Sequence, residues 1–69
     1  MSQPCSFPVR LRLKGNPKMD MLAKFADIVD AINFAHAKSH GQYNSPKLTL
    51  IVYNFDGKVF RKYREGELA

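Results

Sequence analysis

Cysteine occurs once in this 69-residue chain, at Cys5, so no disulfide within the chain can brace the fold. A single free thiol fits a reducing compartment better than an oxidising one. Long apolar runs are missing too. Nothing approaches the roughly eighteen consecutive apolar residues of a membrane span. Met1–Pro8 has neither the basic start nor the apolar stretch of a signal peptide. These absences lead to the expectation of a soluble cytoplasmic protein with no membrane partner. A glycine-rich phosphate loop, a Cys-x-x-Cys pair and a Ser-His-Asp arrangement are all lacking. With so little chain to wall a pocket, an enzyme, a cofactor and a small-molecule substrate are not expected. No repeat, linker or low-complexity tract divides the sequence, which predicts one domain over residues 1–69 with frayed ends at 1–6 and 65–69.

Acid is the scarcer charge, six residues against eleven basic ones, for a net charge of +5. Residues 1–16 hold Arg10, Arg12 and Lys14 and no acid. Residues 17–40 balance Lys18, Lys24 and Lys38 against Asp20, Asp27 and Asp30. Residues 41–64 carry Lys47, Lys58, Arg61, Lys62 and Arg64 against Asp56 alone, and the tail adds Glu65 and Glu67. Positive charge therefore falls on the segments that read as strands. Such asymmetry points to an anionic partner, although basic side chains also keep sheet edges from aggregating.

Hydrophobic periodicity supplies the elements. From Val9 to Lys14 apolar and basic residues alternate strictly, the period of a half-buried strand. Asn16-Pro17 resembles a helix start, with Asn16 as cap and Pro17 at the first helical position. Met21, Leu22, Phe25, Ile28, Val29 and Ile32 then form one stripe at helical spacing, and Gly41 is the natural terminator. A helix from Pro17 to about Ser39 would be roughly 34 Å long, against roughly 23 Å for a seven-residue strand, so it must fray or overhang. Lys47–Phe55 is the most apolar strand, and Lys58–Arg64 is its hairpin partner. The order β-α-β-β predicts an α+β fold: a two-layer, three-stranded mixed sheet with one long helix on one face, the Lys47–Phe55 strand in the middle.

Asp56-Gly57 favours a two-residue type I′ turn. That turn would set Phe55 opposite Lys58, Tyr53 opposite Phe60 and Ile51 opposite Lys62 on one face. Leu50, Val52, Val59, Arg61 and Tyr63 would take the other. With the helix over Leu50 and Val52, the uncovered face presents Arg10, Arg12, Lys14, Ile51, Tyr53, Phe55, Phe60, Lys62 and Arg64. Two functions suit it. In the first, DNA or RNA lies on the sheet, with Arg10, Arg12, Lys14, Lys58, Lys62 and Arg64 neutralising phosphates and Tyr53 and Phe60 stacking on bases. In the second, the chain is a homodimeric adaptor or regulatory protein that buries Ile51, Tyr53, Phe55, Phe60 and Phe34 against its partner.

The remaining chemistry-bearing residues read as structural. His36 and His40 are one helical turn apart, a spacing that metal ligands use, but no third ligand is assigned and no metal is expected. Asp27 and Asp30 read as solvated helix surface and Cys5 as incidental. Phe34 stands apart from the apolar stripe, with a dimer contact among its explanations.

Overall fold

The computed structural model describes residues 6–69. The expectation of fraying at residues 1–5, and any role for Cys5, lie outside the described residues. Six elements follow one another: β1 (Phe7–Leu13), β2 (Met19–Phe25), α1 (Ile28–His40), β3 (Leu48–Tyr53), β4 (Val59–Arg64) and β5 (Glu67–Leu68). The five strands form a single antiparallel sheet in the order β2-β1-β3-β4-β5. The three-stranded mixed sheet expected from the sequence is thus corrected to five antiparallel strands. The most apolar strand, β3, lies between β1 and β4. It runs antiparallel to β1 because an unforeseen strand, β2, reverses the chain before the helix.

Residues 19–25 are the source of that difference. Met-Asp-Met-Leu-Ala-Lys-Phe satisfies a helical stripe, but Met19, Met21, Ala23 and Phe25 also repeat every second residue. Pairing with the free edge of β1 selects the second pattern. Val9 faces Ala23 and Arg10 faces Met21, so Leu22 is the extra residue of a bulge. Asn16, read above as a helix cap, instead accepts a hydrogen bond from Lys18 N at 3.0 Å in the β1–β2 turn. The helix begins at Ile28, where the Asp27 carboxylate accepts from Val29 N at 2.8 Å and Asp30 occupies the first turn. Both aspartates therefore serve the helix terminus. At 13 residues α1 is about 20 Å long and matches the strands it covers. Gly41 ends it, donating to Ala37 O and Lys38 O.

Helix and sheet meet through small residues. Ala31, Ala35 and Ser39 follow at four-residue intervals and are buried, so the backbone of α1 approaches Val9, Leu50, Val52 and Tyr63 closely. Phe7, Leu11, Leu22, Phe25, Ile28, Ile32, Phe34 and Tyr43 pack around that centre. Phe34 leans on Phe25 with ring centroids 5.2 Å apart. It looked isolated in the sequence because Phe25 was placed on the same helix rather than on β2.

The β3–β4 connection is also corrected. Gly57 N donates to Asn54 O and Asn54 N to Lys58 O, and in this loop only Gly57 has a positive φ, 86°. The loop is Phe55-Asp56-Gly57, three residues closed by a glycine in the left-handed region, instead of a two-residue type I′ turn. The added residue shifts the register by one, setting Tyr53 opposite Val59 in place of Phe60. A bulge at Phe60 then shifts it back, so Val52 faces Arg61, Ile51 faces Lys62 and Leu50 faces Tyr63. The two irregularities cancel, and beyond Phe60 each side chain falls on the face that the alternation assigns to it.

Type I′ geometry occurs instead at Glu65-Gly66, where φ is 53° and 81°. Residues 65–69, read as a frayed end, form this turn and β5. Gly66 N donates to the buried Ser39 Oγ at 3.1 Å, and Ser39 Oγ donates to His36 O at 2.8 Å. The last turn of α1 thereby clasps the β4–β5 turn. No helix among the described residues is long and apolar enough to cross a membrane.

Candidate nucleic-acid interface

Helix α1 covers one face of the sheet, and the register sorts the other. One cross-strand row there reads Met21, Arg10, Ile51 and Lys62 from β2 to β4. The next reads Met19, Arg12 and Thr49, continuing to Arg64 and then Glu67. Rows two residues apart are separated by about 6.7 Å and neighbouring strands by about 4.8 Å. Cations from β1 and β4 are therefore spread over a surface with β3 between them. Glu67, opposite Arg64, is the acid within these two rows.

Between the β1–β2 turn and β4 lies a depression of about 220 Å³, lined by Arg12, Lys14, Gly15, Thr49, Ile51, Lys62 and Arg64. Thr49, 6% exposed, forms part of its lining, and its Oγ1 accepts hydrogen bonds from Arg64 Nε at 3.1 Å and Nη2 at 2.9 Å. These bonds hold the guanidinium in one orientation and leave its other N–H groups without a partner among the described residues. Lys14 N bonds Lys47 O at 2.7 Å, which ties down the start of the turn.

Arg10 is held differently. Its guanidinium lies 5.3 Å from the centroid of the Tyr53 ring, a cation–π contact. Its Nε is buried with no hydrogen-bond partner among the described residues. The Tyr53 hydroxyl donates to Met19 Sδ at 3.3 Å, so the ring crosses β1 to reach β2. Tyr53, Arg10 and Met19 together border the basic surface, with Met21 exposed beside them.

Arg10, Arg12, Lys14, Tyr53, Lys62 and Arg64 thus share the uncovered side of the sheet. Lys58 is set apart in the β3–β4 connection. Phe60 occupies the bulge in β4, with the Arg61 guanidinium 5.2 Å from its ring centroid. Around it Val59, Arg61, Lys62, Leu68 and Ala69 line a second depression of about 540 Å³. The apolar positions assigned to a subunit interface scatter. Ile51 is only 3% exposed within the single chain, flanked in register by Arg10 and Lys62. Phe55 makes an edge contact with Phe7 at 6.3 Å, and Phe34 packs on Phe25 beneath Lys38. His36 stacks edge-on against Tyr63 at 5.5 Å and against His40 at 4.7 Å.

Thr49, Met19 and Met21 are parts of this surface that sequence reasoning missed. Thr49 could have been found by alternation with Ile51 and Tyr53. The methionines were hidden by the helical reading of residues 19–25. In comparisons with known proteins, no family model matches this chain, nor does any curated protein or solved structure.

Proposed function

We propose that this protein is a non-enzymatic binding domain that holds single-stranded nucleic acid on the uncovered face of its sheet. The observation that carries the reading is the convergence of Arg10, Arg12, Lys14, Lys62 and Arg64, from two strands and a turn, around Thr49 and Ile51 on the face opposite the helix. Phosphates are neutralised by these cations, and bases stack on the Arg10–Tyr53 pair and the exposed methionines beside it.

Sheet width favours a single strand over a duplex. Five strands at about 4.8 Å spacing span roughly 19 Å, whereas the major groove is about 12 Å wide and admits a helix or a two-stranded ribbon. The same face suits a second copy of the chain poorly, because stacking two such surfaces would oppose like charges at a cost of several kcal/mol.

Fluorescence anisotropy with a labelled mixed-sequence oligonucleotide, single-stranded or annealed to its complement, tests the proposal. The single strand is expected to bind at least about tenfold more tightly, a difference of about 1.4 kcal/mol. Lys62→Glu should weaken binding severely. Lys38→Glu, which changes charge equally on the helix side, should have little effect. Equal losses from the two variants, or preference for the duplex, would overturn the reading.

A further inference from the structure

We infer that the depression between the β1–β2 turn and β4 is a subsite for a terminal phosphate, so that a nucleic-acid strand with a phosphomonoester end binds better than the same strand ending in hydroxyls. The inference rests on the single-strand reading above and adds to it which part of the strand this site holds.

Three features support it. The first is charge. Arg12, Lys14, Lys62 and Arg64 all line one depression, and no acid lines it with them. An internal phosphodiester offers these groups a single negative charge and two free oxygens, whereas a monoester carries about −1.5 to −2 at neutral pH and three acceptor oxygens. The second is preorganisation. Thr49 Oγ1 fixes the Arg64 guanidinium through Nε and Nη2, so its free edge is set before any anion arrives. Planar, fixed guanidinium donors are suited to binding two phosphate oxygens at once.

The third feature is position. The chain turns back at Leu13–Asn16, where Asn16 N donates to Leu13 O at 3.0 Å and Gly15 has φ 85°. Gly15 thereby supplies part of the lining at one end of the basic face. The Tyr53 side chain crosses β1, and its hydroxyl reaches Met19 Sδ at 3.3 Å, Met19 being the register partner of Arg12 in the depression lining. A strand with a base stacked on the Arg10–Tyr53 pair therefore reaches the neighbouring depression with its end.

Three versions of one labelled oligonucleotide test the inference: a 5′-phosphate, a 3′-phosphate, and hydroxyls at both ends. A phosphorylated strand is expected to bind about tenfold more tightly at pH 7.5, with the preference shrinking below about pH 6, where the monoester dianion takes up one proton and becomes a monoanion. Preference for one end alone supports the inference and fixes strand polarity. Thr49→Val should bring the ratio of affinities towards one, while Thr49→Ser, which keeps the hydroxyl, should preserve it. Equal affinity for all three strands would overturn the subsite and leave the sheet-face reading standing. Failure to bind any of them at low salt would overturn both.

Discussion

Gly66 is the position where a single methyl group should do most harm. It is buried, its φ is 81°, and a Cβ built on it would come within 2.6 Å of three atoms of the His40 ring. Two costs add in Gly66→Ala. Holding an alanine in the left-handed region costs about 1–2 kcal/mol. Crowding His40 costs about 1–3 kcal/mol more if the ring stays in place, and less if it swings into solvent, to which it is already exposed. The sum, about 2–5 kcal/mol, is a large share of the roughly 3–10 kcal/mol that a chain of this length commands. At about 4–8 °C per kcal/mol for so small a domain, Tm should fall by at least about 8 °C. Thermal unfolding followed by circular dichroism measures this. His40→Ala in the Gly66→Ala background should recover the crowding part and leave the backbone part. A Gly66→Ala protein that melts within about 2 °C of the parent would refute the docking of the β4–β5 turn on the helix terminus.

Ser39→Ala removes the acceptor of the buried Gly66 N–H, and urea unfolding should show a loss of about 1–3 kcal/mol with an unchanged m-value. Asp27→Ala deletes the helix cap at Val29 N and should cost about 0.5–2 kcal/mol, whereas the same change at Asp30, which accepts no capping bond, should cost less. Leu50→Ala opens a cavity beneath α1 and should destabilise by about 2–5 kcal/mol in chemical denaturation.

Much of the sheet was legible because alternation is a strong local signal. Val9, Leu11 and Leu13 against Arg10 and Arg12, and Leu50 and Val52 against Ile51, separate into faces without knowledge of the partner strand. The turn type was misread, yet the pairing of Ile51 with Lys62 is as expected, because the three-residue loop and the Phe60 bulge offset one another. Residues 19–25 were illegible for a different reason. Met, Leu, Ala and Lys are good helix formers, and Asn16-Pro17 offered a start signal. What decides their state is the unpaired edge of β1, a tertiary fact that no local window contains. Asp27, three residues before Asp30, was the overlooked local signal for the true helix start. Tail residues 65–69 were overlooked because two paired residues leave almost no periodicity. Their order comes from the Glu65-Gly66 turn and the Ser39 hydroxyl, which are close only in the fold. Of the six cations assigned to the basic surface, Arg10, Arg12, Lys14, Lys62 and Arg64 share the uncovered face and Lys58 lies apart in the β3–β4 connection. The threonine and methionines of that surface depended on β2 and on the geometry of Arg64.

Salt dependence tests the central claim most directly. If Arg10, Arg12, Lys14, Lys62 and Arg64 each neutralise one phosphate of a single strand, log K should fall against log salt concentration with a slope of about −3.5, or about a hundredfold between 50 and 200 mM. Arg64→Ala should flatten that slope by about 0.7. Affinity that ignores salt, or a slope that Arg64→Ala leaves unchanged, would contradict the account.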